Sequence, residues 1–456
     1  MRFEALTQKE MDRIHEGALA ILAEVGLQLP ASSGVAARLA AAGLRMSEDG
    51  RLRLPRAAVE AALRRAPRTV RLGARDPHRT AVLDGTRTYV TTDGCGSKTI
   101  DFTTGERRPS RLEDVAASAR LADALDTLHV YWMMVSAHDV PLESRVAREF
   151  LAAAENTTKH VQMIDVARPD EARALAGMAR TLLDDGVFAE SPVSMLISVV
   201  SPLRLDPPGT EAALLFAEAG LPVALCSMPI ASVTAPATAP GTVLLAHAEI
   251  LGFATIMETL VPEAPVIYTS FPAFADARTG ITNYRDPRRF WAASAASQMG
   301  LSMNLPCFTS GELASLLQRP DLMCFGGLLE VSTLLSYEQL VIDAEILRDL
   351  AASAAPQEVT AETLGLSAIA EVGPGRHYLA HPHTAKHIRD FVVPKFAEPE
   401  RAVEPERHGP IKESPREKAR REVRRILDQH QVPPLPERTA AALETILEES
   451  ARAVPA

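Results

Sequence analysis

The sequence predicts an α/β protein built around a (β/α)8 barrel, in which parallel strands alternate with helices. From about residue 110, near-continuous apolar runs of strand length alternate with Ala- and Leu-rich helical runs. Such strands are buried on both faces, which is typical of a parallel sheet covered by helices. Eight runs can be counted, the number that closes this type of barrel. A doubly wound open sheet is the alternative, but no dinucleotide-binding or P-loop glycine motif supports it.

The strand predictions divide the chain into three parts. We expect an N-terminal mixed lobe over 1–108, the barrel over 109–395 and a C-terminal helical extension over 396–456. The extension contains helices near 414–430 and 436–453, which serve either for packing or as an oligomer contact. The eight predicted strands are 129–136, 160–166, 193–201, 222–228, 265–271, 305–310, 321–327 and 377–382.

Two local patterns refine this plan. Thr7-x-x-Glu10 precedes an apolar-periodic run that ends at Gly26, which predicts a capped amphipathic helix. The connection from the sixth predicted strand to the seventh has only about eleven residues, enough for a helix of two turns at most. We therefore expect a thin segment of barrel wall, or a reshaped barrel mouth, at the shortened 305–327 segment.

Composition excludes several classes of protein. The chain has 456 residues, a formal charge of −10 and 46% apolar residues, so it can build a large core but has no basic stripe for nucleic acid. Its four cysteines form no CxxC motif, which is typical of reduced, cytosolic usage. The apolar region 241–261 carries His247, Glu249 and Glu258, residues that a membrane span rarely accepts. These features predict a cytoplasmic protein with no membrane segment.

Four histidines lie close together in HYLAHPHTAKHIRDF, residues 377–391. His383 and His387 are spaced to share one face of a helix, and with His381 they could bind zinc if a carboxylate joined them. The competing interpretation is an eighth strand followed by a helix, with His383 as one polar side chain at the barrel mouth. We favour the second, because a His-x-His-x3-His pattern alone has little specificity.

Aromatic residues are concentrated in the loop after the fifth predicted strand, YTSFPAFADARTGITNYRDPRRFW. Aromatic faces next to carboxylates attract a quaternary or protonated amine, because cation–π attraction needs no hydrogen-bond donor on the ligand. Plain packing is the competing interpretation, and it is favoured for Trp291 at the start of a helix. No Ser-His-Asp or Cys-His arrangement indicates a protein nucleophile.

Several blocks spread over nearly the whole chain resemble the trimethylamine methyltransferase family, in its branch without pyrrolysine that includes glycine betaine methyltransferases. They include LTQKEMDRIHEGALAILAEVGL, DFTTGERRPSRLEDVAASARLADALDTL, AEAGLPVALCSMPIASVTAPATAPGTVLLAHAEILG and GPGRHYLAHPHTAKHIR. The resemblance implies a (β/α)8 barrel that moves a methyl group from a quaternary amine to the Co(I) of a corrinoid carried by a separate protein. Such an enzyme takes part in one-carbon metabolism and methanogenesis-type methyl transfer, and itself binds neither the corrinoid nor a metal permanently.

Seven residues are candidates for this site. The cation surround is assigned to Tyr268, Phe271, Phe274 and Tyr337. The catalytic candidates are Glu312 and Glu330, as sources of negative potential, and His383, as a hydrogen-bond donor to substrate or corrinoid. Two alternatives stay open: a degenerate relative that binds an amine or a partner protein without turnover, and a zinc-dependent barrel enzyme.

Overall fold

The computed structural model of the chain contains a closed barrel of eight parallel strands, which confirms the predicted fold class. It describes residues 3–30, 33–164, 166–311, 317–354, 358–388 and 413–452. The last strand closes on the first through the register of Leu322 with Tyr89. In chain order the strands are β1 (Tyr89–Thr91), β2 (Val130–Trp132), β3 (His160–Met163), β4 (Val193–Ser198), β5 (Val223–Ser227), β6 (Val266–Ser270), β7 (Cys307–Ser310) and β8 (Leu322–Cys324).

Seven of the eight predicted strands, from 129–136 to 321–327, coincide with β2 to β8. The eighth prediction is wrong, because residues 377–381 form no strand and a helix begins at Pro382. Leu379 is 83% exposed, so the apolar alternation there does not mark a buried face. The missing strand is β1, which precedes the predicted barrel boundary at residue 109. Three residues carry too little pattern to be recognised, and only pairing with β8 and β2 identifies the strand.

The segment before β1 contains short helices and short strands. The cap predicted for its first helix is present: the Thr7 hydroxyl accepts the N–H of Glu10 (3.4 Å), and the Glu10 carboxylate accepts the N–H of Thr7 (2.8 Å). Its helices are α1 (Gln8–Glu24), α2 (Gly34–Ala41) and α3 (Arg56–Arg65), with a 3-10 turn at Pro77–Arg79. Two antiparallel pairs join Leu27–Gln28 to Arg51–Leu52 and Val70–Leu72 to Ala81–Leu83.

Helices surround the barrel on its outer side. They are α4 (Leu112–Ala124), α5 (Arg145–Asn156), α6 (Pro169–Asp184), α7 (Pro207–Glu218), α8 (Ala239–Leu260), α9 (Pro287–Ser302) and α10 (Tyr337–Ala354). A small sheet beside the mouth is formed by Lys98–Ile100, Arg107–Pro109, Leu328–Leu329 and Leu334–Leu335. The connection from β7 to β8 has the eleven residues 311–321, of which 312–316 lie outside the described part. The wall between these strands is therefore built from a much shorter segment than the other βα connections.

Helix α8 is long and apolar enough to cross a membrane by length and composition alone. It lies mostly buried inside the fold, which makes the length criterion weak support for a membrane span. Its acid Glu249 accepts hydrogen bonds from the hydroxyls of Ser227 (2.5 Å) and Ser201 (2.8 Å) and from the N–H of Leu203 (2.8 Å). The helix is thus tied to the barrel loops, while cytoplasmic localisation stays a prediction.

The chain ends in helices that pack against the outside of the barrel. The predicted C-terminal pair is present as α13 (Pro415–Gln429), which contacts α10 and α4, and α14 (Glu437–Arg452), which contacts α6 and α5. Arg420 pairs with the buried Glu338 (2.7 Å), and His430 lies 2.8 Å from Asp123. Two shorter helices of the described chain, α11 (Leu366–Val372) and α12 (Pro382–His387), precede this pair.

Strand register decides which side chains face the barrel interior. The hydroxyls of Tyr131 and Tyr268 reach outward, to Ser118 on α4 (2.9 Å) and His247 on α8 (3.1 Å). Because side chains alternate along a strand, the neighbours of these tyrosines face inward. The registers between neighbouring strands extend this assignment around the barrel. The side chains that face the interior include Thr91, Val130, Trp132, Gln162, Ser194, Cys226, Thr269, Phe308, Ser310 and Cys324.

Candidate active site

A cavity of about 540 Å³ opens at the carboxyl ends of the barrel strands. Its walls come from the segments that follow β1, β5, β6, β7 and β8, and from Trp132 at the end of β2. Barrel enzymes carry their active sites at this end, because the loops that leave the strands converge there. Ser310, Gly311 and Phe325 line the side next to the short β7–β8 connection. The shortened segment therefore borders the cavity directly.

Aromatic rings form one wall of the cavity. Trp132 and Phe271 line it with planes 15° apart and centroids 6.1 Å apart, and Phe308 meets them edge-on at 5.5 and 5.3 Å. Gly94 lies against the indole, since a Cβ at this position would come within 2.6 Å of Trp132 Cε2. The close packing orients both rings, and aromatic faces of this kind attract cations.

Asp93 lies two residues beyond the end of β1 and faces the same cavity. Its carboxylate accepts the hydroxyl of Ser332 (2.6 Å) and the N–H of Gly94 (2.9 Å). Burial nevertheless raises the pKa of Asp93 to about 6, and the negative charge of Asp343 raises it by a smaller amount. The ionised carboxylate is thus incompletely compensated, and a bound cation would stabilise it.

Asp343, on α10, is a second, half-buried carboxyl in the lining. It accepts the N–H of Gly327 (2.8 Å) and the side-chain amide of Gln339 (2.7 Å), and burial raises its pKa. Gly326 approaches so closely that a Cβ there would lie 2.4 Å from the Cβ of Asp343, and its φ is +93°. Only glycine fits this turn, which holds the acid at the cavity wall.

One arginine completes the charged groups among the described lining residues. Arg289 lies in the first turn of α9, with its Cζ 4.3 Å from the centroid of the Tyr284 ring. Its positive charge lowers the pKa of Asp93 and of Tyr284, although burial raises both. The cavity therefore combines two carboxyl groups, one guanidinium and an aromatic wall. This combination suits a ligand whose positive end has no N–H to donate.

Of the four residues predicted to surround a cation, Phe271 alone lines the cavity. Tyr268 points out of the barrel, where its hydroxyl contacts His247. Phe274 is buried behind the loop, with the Arg288 guanidinium 4.7 Å from its ring. Tyr337 donates its hydroxyl to Asp114 (2.7 Å) at the small sheet beside the mouth. The cation-binding role predicted for these three therefore has no support from their positions.

The predicted catalytic residues are not brought together. Glu330 is exposed and pairs with Arg107 (2.5 Å), outside the cavity lining. Glu312 lies outside the described residues. His383 is on α12, where its ring centroid lies 4.6 Å from that of His387. The prediction of His383 as an inward-facing residue of an eighth strand is wrong, because that segment is helical and lies outside the barrel.

The histidine cluster has a structural role at the start of α12. The Nδ1 of His381 accepts the N–H of His383 (3.1 Å), which caps the helix. Within the described part of the chain, no group of three or more His, Cys, Asp or Glu side chains is arranged to hold a metal ion.

The residues that shape the cavity were missed because they follow strands in a way that only the closed barrel reveals. Asp93 comes directly after the run YVTT, and this strand-end acid was a usable signal once β1 was recognised. Trp132 was included in a predicted strand but not assigned to the interior. Arg289 and Asp343 lie on helices, and no local pattern distinguishes them from solvent-exposed charges.

Fold and site together define a (β/α)8-barrel protein with an acidic, aromatic cavity at the carboxyl ends of its strands. The model of the trimethylamine methyltransferase family (MTTB) matches residues 1–321 and 323–455. The chain therefore belongs to this family, as the resemblance in its sequence blocks predicted. Family and relatives support activity as an amine methyltransferase.

Two characterised relatives illustrate the similarity. A glycine betaine methyltransferase of Desulfitobacterium hafniense (strain Y51) is 28% identical, with 87% of each chain covered. The trimethylamine methyltransferase MttB of Desulfitobacterium hafniense (strain DSM 10664 / DCB-2) is 26% identical over 97% of this chain and 93% of the relative. The solved monomethylamine methyltransferase MtmB of Methanosarcina barkeri superposes with a TM-score of 0.53 at 12% identity, covering 94% of this chain and 90% of that chain. At this identity the structural match supports the fold alone.

Proposed function

We propose that the protein moves a methyl group from a quaternary amine, of the glycine betaine type, to the Co(I) of a corrinoid presented by a separate protein. The observation that carries this proposal is the pairing of Asp93 with an aromatic wall. Burial raises the pKa of this carboxyl to about 6, so a bound cation would stabilise its ionised form. The rings of Trp132 and Phe271 supply faces for methyl groups that cannot donate hydrogen bonds.

The proposed reaction requires the protein only to bind and orient its substrates. In the proposed step, the electron pair of Co(I) attacks a methyl carbon, the C–N bond breaks, and its electrons stay on nitrogen as a neutral tertiary amine. No proton is transferred, so no general acid or base is needed. The barrel contributes by fixing the methyl group in line with the opening and by excluding water.

The rim of the cavity suits a large apolar partner surface such as a corrinoid face. Met228 and Val331 line the opening and are 41% and 48% exposed. Ile281, in the loop after β6, is 66% exposed. Apolar side chains around a concave site commonly mark a docking surface. The corrinoid enters here as a second substrate on its carrier protein.

The test is to mix the purified protein with glycine betaine and a corrinoid protein held as Co(I), and to follow the cobalt absorption spectrum. Loss of the Co(I) signal and formation of one equivalent of dimethylglycine support the proposal. A matched reaction uses the Asp93→Asn variant, which should be much slower at low amine concentration. Omitting the amine measures spontaneous cobalt oxidation.

The short β7–β8 connection favours one alternative, a relative that binds amines without turnover. Saturable amine binding with no methyl transfer to any supplied corrinoid protein would favour this alternative and contradict the proposed activity. A zinc-dependent reaction would instead require about one equivalent of zinc in the purified protein, with activity lost on chelation.

A further inference from the structure

We propose that the amino-terminal end of the barrel binds a doubly charged tetrahedral oxyanion of the sulfate or phosphate type. The site is a second cavity of about 170 Å³, which lies where β1, β2 and β3 begin. Tyr89 is the first residue of β1, and His129 and Lys159 directly precede β2 and β3. This end of the barrel is opposite the amine cavity, so the proposal is independent of the proposed function.

Positive charge is in excess among the side chains that line this second cavity. Arg79, Arg87 and Lys159 contribute three cations, whereas Asp126 is the one acid among the described lining residues. The side chain of Asp126 is 92% exposed and lies 3.6 Å from Arg79, so water screens its charge. An excess of two positive charges around a partly enclosed space attracts a dianion.

Lys159 is the buried cation of this site. Its side chain is almost fully covered, and its ammonium donates to the carbonyl oxygens of Ala122 (2.5 Å) and Leu125 (2.9 Å) at the end of α4. These contacts fix the position of the ammonium, which has three N–H groups in all. Burial lowers the pKa of Lys159 to about 8, so a bound anion would stabilise its charged form.

The acid that acts most strongly on this lysine does not line the cavity. The negative charge of Asp123 raises the pKa of Lys159, but by less than burial lowers it. The Asp123 carboxylate accepts the N–H of Thr158 (2.6 Å) and lies 2.8 Å from the ring of His430. Asp123 is therefore engaged by other groups, and the charge of Lys159 is incompletely compensated.

Arg87 is positioned by two contacts that bring no negative charge. Its Cζ lies 4.5 Å from the centroid of the Tyr89 ring, and its Nη2 lies 3.0 Å from the Nε2 of His129. Burial, together with the smaller effects of Arg87 and Lys159, lowers the pKa of His129 to about 4, so this ring is neutral at pH 7. A guanidinium without an acidic partner in the described part of the chain offers donors that match an oxyanion.

The size of the cavity limits the ligand. Sites for drug-sized ligands and cofactors have volumes of about 300–1,000 Å³, well above the volume of this cavity. A nucleotide or a sugar phosphate would not be enclosed here. One sulfate or phosphate ion, whose oxygens accept hydrogen bonds in several directions, suits both the volume and the charge.

Arg71 provides a matched control close to the same place. It lies on the strand Val70–Leu72, and its charge and that of Tyr89 interact. Its guanidinium pairs with Glu190 (2.5 Å), and it is not part of the cavity lining. Arg71→Gln therefore removes one positive charge beside the cavity, whereas Arg87→Gln removes one from its wall.

Calorimetric titration of the intact protein with sodium sulfate at pH 7 tests the proposal, with ionic strength held constant by sodium chloride. The wild type should bind one equivalent, and inorganic phosphate should compete. Arg87→Gln should weaken binding about 10- to 100-fold, the range for one charge-assisted hydrogen bond. Arg79→Gln should weaken it several-fold, and Arg71→Gln should match the wild type.

Thermal unfolding gives a second readout. Sulfate stabilises most proteins through exclusion from their surface, so the informative quantity is the difference between variants. Sulfate should raise the unfolding midpoint of the wild type and Arg71→Gln more than that of Arg87→Gln, because only bound ligand adds to the general effect.

Absence of saturable sulfate binding by the folded wild type would overturn the proposal. Wild-type affinity in Arg87→Gln would do the same, as would an equal loss in Arg71→Gln. If Arg87→Gln does not fold, Arg79→Gln decides, and unchanged affinity in that variant counts against the site. None of these results involves an amine, so the proposed function is unaffected by them.

Discussion

Replacing Asp93 by asparagine removes a half-buried negative charge and nearly preserves the shape of the side chain. Burial raises the pKa of this carboxyl from 3.8 to about 6, which at ~1.4 kcal/mol per pH unit corresponds to about 3 kcal/mol against ionisation in the fold. Asp93 is partly exposed to the cavity, so water reduces this figure, and we expect about 2–3 kcal/mol. The same energy is available to any bound cation that restores the ordinary pKa, because the coupling is reciprocal.

The sign of the stability effect follows from the direction of the shift. Well below pH 4 the carboxyl of Asp93 is protonated in the folded and unfolded chains alike, and its raised pKa has no effect on stability. Between about pH 4 and pH 6 the unfolded chain ionises while the folded chain stays largely protonated, so this group progressively lowers the free energy of unfolding, and the full loss persists above pH 6. Asp93→Asn should therefore raise the thermal unfolding midpoint of the ligand-free protein at pH 8 and change it much less at pH 4.

The kinetic effect should be confined mainly to substrate binding. Nitrogen keeps much of its positive charge in an early transition state, so Asp93 stabilises the bound amine and the transition state to a similar extent. Asp93→Asn should raise KM by about 30- to 150-fold, equivalent to 2–3 kcal/mol, with kcat little changed. The wild-type KM should rise as the pH falls below about 6, and the KM of the variant should not.

Measurement of kcat and KM between pH 5 and 8, with thermal unfolding on the same samples, tests this reasoning. Other charged groups face Asp93, notably Asp343 and Arg289, and they remain in both proteins. A variant with unchanged KM, or one less stable than the wild type at pH 8, would refute the assignment of Asp93 as the buried counter-charge.

Three further substitutions distinguish residues that contact the substrate from residues that stabilise the fold around the cavity. Phe271→Leu should raise KM several-fold and leave stability within about 1–2 kcal/mol, because it removes a cation–π face but keeps an apolar side chain, as steady-state kinetics will measure. Tyr268→Phe should lower stability by about 1 kcal/mol through loss of its hydrogen bond to His247 and leave KM unchanged; a change in KM would return Tyr268 to the site. Gly326→Ala should lower the unfolding midpoint clearly, because its φ is +93° and the added Cβ collides with Asp343.

The barrel itself was predictable because its signal is repeated. Buried parallel strands carry apolar runs on both faces, and seven such runs were long enough to be recognised. The prediction of the remaining strand was wrong in two ways. Residues 377–382 have the apolar pattern of a strand but do not form one, and β1 was missed because it is only three residues long. Pattern recognition measures local composition, whereas closure of a barrel depends on pairing between distant segments.

The sequence predicted the type of candidate site, but only some of the residues that line it. The sequence predicted an aromatic, negatively charged pocket at the strand ends, and of its predicted residues Phe271 lines the cavity. Tyr268 does not, although it lies on β6 only three positions before Phe271, which follows the end of that strand. Side chains alternate along extended backbone, so residues three positions apart face opposite ways: Phe271 faces the cavity and Tyr268 faces α8.

The amino-acid sequence alone determined the fold class, the order of seven barrel strands, the capped first helix and the membership of an amine methyltransferase family. These features depend on periodicity and on blocks of residues that are contiguous in the chain. Only the tertiary structure decided that Asp93, Trp132, Arg289 and Asp343 surround one cavity. Their chemistry arises from distance and burial, because a carboxylate acquires a raised pKa, and a need for a cation, only when distant segments exclude water around it.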